Sequence, residues 1–140
     1  MSIPERIEDS RLLFAASRLE GALVMVLIAV SATSKKRYPR LRDNEAFCRF
    51  LTDEREKITG GMTFKIEFEG VMRSLEYILY KFARCNLVHE ARLKEKIYFD
   101  FGDFLLDKRG TRDSLTFSSE LIIRLAYAAE TAAENISSTT

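Results

Sequence analysis

Arg84 and His89, in the stretch ARCNLVHEARL (83–93), carry the residue types needed for phosphodiester chemistry. His89 is the one histidine in the chain. Its imidazole titrates near neutrality and can take or give a proton. A guanidinium stays charged and can pair two phosphate oxygens as charge develops. With an RNA substrate the 2′-hydroxyl supplies the nucleophile, so no metal is required. Four residues separate the pair, and five steps along a straight helix turn about 140°. The two side chains therefore do not share a face, although arginine is long enough to bend back. Cys85 and Asn86 lie on the histidine's side of the helix. Asn86 can hydrogen-bond the imidazole and help fix its tautomer. Phe82, Cys85 and His89 continue an apolar stripe, which predicts the histidine at the end of a buried seam. Arginine is common in this chain, and a lone histidine at a helix end also serves as a structural group.

Other residues enter as supports. Glu20, on an earlier helix, either orients Arg84 as its carboxylate partner or faces solvent. Glu90 is the acidic neighbour of His89. Cys85 and His89 have the spacing of a Cys–His dyad, but no oxyanion donor or third orienting group beyond Asn86 accompanies them. Small apolar packing is the simpler reading of Cys85. The segment KKRYPRLR (35–42) holds five basic residues in eight. Lys35, Lys36, Arg37, Arg40 and Arg42 could contact an RNA backbone, with Tyr38 as a stacking aromatic. The other reading is a solvated helix end whose cations favour the C-terminal dipole. One histidine and two cysteines, with no CxxC or HExxH spacing, give no expected metal site and no cofactor.

Composition sets the frame. A chain of 140 residues, 46% hydrophobic and 31% charged, is expected to form a single domain spanning 1–140 with a real core. Net charge is +1, so attraction to nucleic acid must come from local patches. Two cysteines are too few for a disulfide framework and fit a reducing cytoplasm. The apolar run ALVMVLIAV (22–30) is too short for a membrane span of about twenty residues. Glu5, Glu8 and Asp9 stand where a signal peptide would have a basic leader. A buried helix is expected there, and no membrane partner.

The elements that must position the site follow from periodicity. Leu12, Ala16, Leu19, Leu23, Val26 and Val30 fall on one face of a single long helix ending near Ser34. Its second half is apolar all round and needs cover from neighbouring helices or a second subunit. Pro39 marks a turn, and Asp43 or Asn44 is read as the cap of a helix burying Phe47, Phe50 and Leu51. Phe64, Phe68, Val71, Leu75, Ile78 and Phe82 predict a second long helix within 64–83, with Gly70 as a weak point. The alternation of 63–69 leaves a short strand before it open. KIYFDF, with Ile97, Phe99 and Phe101 on one side, and SLTF, after a turn around Gly110, predict a β-hairpin within about 96–117. Ser118 is read as the cap of a last helix from about Ser119, and a polar tail follows at about 136–140.

The string LYKFARCNLVHEARL resembles the signature of the HEPN superfamily: an arginine, four to six residues, then a histidine, in an all-helical bundle. The close match covers about residues 77–93. The resemblance implies a mainly α fold, a HEPN-like helical bundle, with the small β-hairpin as an addition before the last helix. It implies a metal-independent endoribonuclease working as a homodimer, in toxin–antitoxin, antiphage or RNA-processing settings, with a protein antitoxin or assembly partner. Arg84 would hold the phosphate and His89 would be catalytic. The alternative it implies is a non-catalytic module binding RNA, a nucleotide or a protein. Here the position after the arginine, often polar in the family, is Cys85, and the polar Asn86 comes one later.

Overall fold

The computed structural model describes residues 2–88, 93, 95–108 and 113–136, with the side chains of α5 described through Cys85. The fold is mainly α with a small β element. The expected single long first helix is two helices, α1 (Ile3–Ala15) and α2 (Leu19–Arg37). A capping box opens α1: the Glu5 N–H donates to Ser2 Oγ at 3.2 Å and the Ser2 N–H to Glu5 Oε1 at 2.9 Å. A Schellman motif closes it. The Arg18 N–H reaches Leu13 O at 2.8 Å, the Ser17 N–H reaches Phe14 O at 2.9 Å, and Ser17 sits at φ 62°. Serine carries no Gly or Pro signal, so the spacing of apolar residues runs through the break unmarked. Leu12, expected inside, is 61% exposed.

The break lets α1 fold back on α2. Ser10 Oγ donates to Ala22 O at 2.7 Å, and Gly21 leaves room for Leu13, whose Cδ1 would lie 3.2 Å from an added Cβ. The apolar run of α2 becomes the centre of the core. Ala22, Leu23, Val26, Ala29 and Val30 are fully buried. Helices α1, α3 (Asp43–Asp53), α5 (Leu75–Val88) and α6 (Ser119–Glu130) all pack on α2. Val24, Met25 and Ile28, on the remaining sides of the run, are only half-buried. No described helix is long and apolar enough to cross a membrane.

After α3 comes a short helix, α4 (Arg55–Thr59), stopped by Gly60 and Gly61 at φ 70° and 91°. The helix expected over 64–83 begins only at Leu75. Before it, β1 (Lys65–Phe68) and β2 (Val71–Ser74) form an antiparallel hairpin. Its two-residue turn, Glu69-Gly70, has both φ positive, at 54° and 85°. That is the turn geometry whose twist suits a hairpin, and Gly70 supplies it. The alternation of 63–69 was the stronger signal, because a helix through Gly70 gains little from a glycine.

The second sheet has order β3-β5-β4, with β3 (Lys96–Asp100), β4 (Leu106–Asp107) and β5 (Ser114–Ser118). Strands at the expected places exist, but their pairing differs. β3 runs parallel to β5, and the antiparallel partner of β5 is the two-residue β4. The connection from β3 is too long for a tight hairpin and carries its own strand to the far edge of β5. Phe101 falls past the end of β3 and is 54% exposed, unlike Ile97 and Phe99, which pack on the core. Phe82 of α5 meets Phe99 and Phe117 edge-on, at 6.0 and 5.1 Å between centroids, and this locks the sheet to the helix. Ser118 caps α6 as expected, accepting the Leu121 N–H at 3.1 Å. A final turn, α7 (Ala133–Ile136), closes on α2 through Asn135, whose Nδ2 donates to Thr33 Oγ1 at 2.9 Å.

Candidate functional site

Arg84 is exposed on α5 and lines a groove of about 500 Å³. Ile28, Ser31, Ala32 and Lys35 form one wall, an i, i+3, i+4, i+7 stripe of α2. Tyr80, Ala83 and Arg84 form the other, the i, i+3, i+4 stripe of α5. Asp43, at the start of α3, closes one end. Small residues at 31, 32 and 83 open the space, because larger side chains there would let the two helices interlock. Phe47 of α3 braces Tyr80 from behind, with rings edge-on at 5.5 Å.

Two cations therefore rim one groove. Lys35 Nζ donates to Leu41 O at 2.9 Å and lies 3.3 Å from Asp43 Oδ1. Among the described residues no hydrogen bond or ion pair occupies Arg84. Asp43, expected as a cap, makes no cap bond: Arg42 stands at the N-cap position of α3 and Asp43 is the first helical residue. Its carboxylate serves the lysine instead. Sequence reasoning missed Asp43, Tyr80 and Ser31 as groove residues. The helical repeat of Tyr80 with Arg84 was readable, but its pairing with the α2 stripe was not.

A family profile, Rv1289, matches residues 2–138. The chain belongs to the Rv1289 family. No curated protein and no solved structure matches it significantly. The family match covers both groove-forming helices and the second sheet.

The other expected site residues fall into three groups. His89 and Glu90 lie outside the described residues, as does the side chain of Asn86. Glu20 is in the first turn of α2 and lines a separate groove with Arg18, Leu19 and Met25. From Glu20 to the Lys35 end of α2 is about 22 Å at 1.5 Å per residue. It is exposed and makes no pair with Arg84, which is the solvent-facing one of its two sequence readings.

The basic segment is likewise divided. Lys35, Lys36 and Arg37 form the last turn of α2, where cations favour the helix dipole. Of these, only Lys35 lines the groove. Arg37 turns toward Glu134, Glu54 and Asp53, with its side chain 18% exposed, so its guanidinium is already occupied. Tyr38 donates its hydroxyl hydrogen to Asp53 and has the Arg49 guanidinium 5.0 Å from its ring centre. Its ring face is thus taken within the fold. Lys36, Arg40 and Arg42 are exposed, Arg42 with a loose 3.7 Å approach to Glu45. Cys85 is half-buried, as is Cys48, whose thiol burial pushes up to about 11. Among the described residues no group of three metal-ligating side chains occurs.

Proposed function

We propose that this protein is a cytoplasmic, metal-independent endoribonuclease of HEPN type. The observation that supports this reading best is Arg84, an exposed guanidinium with no hydrogen-bond or ion-pair partner among the described residues, on a helix beside a groove that also holds Lys35. His89 follows it at the spacing the HEPN signature requires. In the proposed reaction the 2′-oxygen attacks the adjacent phosphorus while its proton passes to a base. The bond from phosphorus to the 5′-oxygen breaks, and that oxygen gains a proton. His89 performs one of these transfers, and a second copy of the chain supplies the other histidine. Arg84 stabilises the charge that builds on the phosphate oxygens. The products are a 2′,3′-cyclic phosphate and a 5′-hydroxyl.

The dimer rests on the resemblance, since neighbouring helices of the same chain bury most of the apolar run of α2. A toxin, antiphage or RNA-processing setting, with a protein antitoxin or assembly partner, belongs to the same proposal. A second reading, a non-catalytic module that binds RNA, a nucleotide or a protein, is favoured by the mainly apolar floor of Ile28, Ala32 and Ala83. The deciding test is a short RNA with one 2′-deoxy position at its mapped cleavage site. Cleavage should persist in excess EDTA and fail at the deoxy position. Undiminished cutting there, or no cutting of any RNA, would remove the ribonuclease reading.

A further inference from the structure

We infer that the groove between α2 and α5 seats one nucleotide of an RNA strand, with Lys35 and Arg84 on its phosphate and Asp43 as the counter-ion that the phosphate displaces. The inference rests on the reading of this face as an RNA site, and it adds the ligand unit and two residues outside the Arg–His motif. A groove of about 500 Å³ falls in the size range of small-molecule sites. Its floor, Ile28, Ala32 and Ala83 beside Tyr80, offers apolar and aromatic surface for the face of a base. Its rim carries the charge.

Lys35 is held in place without being used up. An ammonium has three donors. One goes to the Leu41 carbonyl and one points to Asp43, which leaves the third for a ligand oxygen. The Asp43 side chain is 79% exposed, so its bond to Lys35 is screened and readily exchanged. A backbone phosphodiester carries one negative charge, as a carboxylate does, but in this groove its two free oxygens meet two cations, Lys35 and Arg84, where Asp43 is paired with Lys35 alone. Bound phosphate therefore competes with Asp43 for the lysine.

The test is equilibrium binding of the four nucleoside 5′-monophosphates, with inorganic phosphate as a separate arm, to the full chain carrying His89→Ala. The nucleotides should bind, and phosphate alone more weakly. Lys35→Gln should weaken nucleotide binding about tenfold, Lys35→Arg should restore it, and Asp43→Asn should strengthen it several-fold. Circular dichroism and melting keep binding separate from folding. Nucleotide binding unchanged by Lys35→Gln, or weakened by Asp43→Asn, would overturn the inference even if the wild-type protein cuts RNA. The expected order in a protein that cuts no RNA would sustain the seat and remove the ribonuclease.

Discussion

Arg37 grips Glu134 with two hydrogen bonds, Nε to Oε2 at 3.0 Å and Nη2 to Oε1 at 2.9 Å, tying the end of α2 to α7. Its Nη1 reaches Glu54 Oε2 at 3.0 Å, and the guanidinium lies 4.7 Å over the Phe50 ring centre. Lys57 Nζ also lies 2.9 Å from Glu54 Oε1, so two cations share this cluster of carboxylates, with Arg37 at its centre. Arg37→Ala should lower unfolding stability by about 2–4 kcal/mol, because it leaves the partly buried Glu134 carboxylate without its guanidinium partner. Urea unfolding should show a lower midpoint with an unchanged slope. A change within about 0.5 kcal/mol would mean that water screens the cluster.

Acid should act on the same cluster. The Arg37 hydrogen bond holds the Glu134 carboxyl below its ordinary 4.5, and Arg11 does the same for Glu130. The unfolded chain therefore binds protons at a higher pH than the folded one. The resulting stability is present above about pH 4.5 and is lost as pH falls through the lowered folded values. Arg11 and Glu130 are each about half exposed, so their share is the smaller. Urea midpoints at pH 7, 5, 4 and 3 should fall less steeply for Glu134→Gln than for the wild type. Parallel curves would show that this pair does not carry the acid response.

Ser17 holds φ 62° at the turn between α1 and α2. A side chain in that region costs about 1 kcal/mol that glycine avoids. Ser17→Gly should raise stability by about 0.5–1 kcal/mol, and the β-branched Ser17→Val should lower it. Melting curves of the two variants check the sign. A glycine variant less stable than the wild type would mean that the serine side chain contributes something the φ angle does not reveal.

Arg84 should matter for chemistry and hardly at all for folding. Arg84→Ala should change stability by no more than about 0.5 kcal/mol, as for other exposed surface residues. Cleavage of RNA should fall at least about a hundredfold in Arg84→Ala and in His89→Ala. Arg84→Lys should not restore it fully, because an ammonium cannot pair two phosphate oxygens as a guanidinium does. Product ends resolved by mass should be 2′,3′-cyclic phosphates. Cleavage that survives both alanine variants would place the reaction elsewhere on the chain.

What the sequence determined by itself was local. The stripe of Leu19, Leu23, Val26 and Val30 required a buried helix, and α2 is one. Ser118 ahead of an apolar repeat required a capped helix, because a serine oxygen can satisfy an orphan N–H three residues on. Arg84 stood out as a candidate through its distance from one histidine. Tertiary structure decided the rest. A serine took a left-handed conformation that no residue type announced, and the long helix became a hairpin of two. β5 took β3 as a parallel neighbour because a long connection removes the local constraint that makes a hairpin antiparallel. Most of all, the fold sorted one basic segment into different roles. Two steps along a helix turn about 200°, so Lys35 reached the Arg84 groove while Arg37, on the opposite side, reached Glu134. Charge and spacing could propose these residues, but only the packing of α3, α5 and α7 around α2 fixed what each one meets.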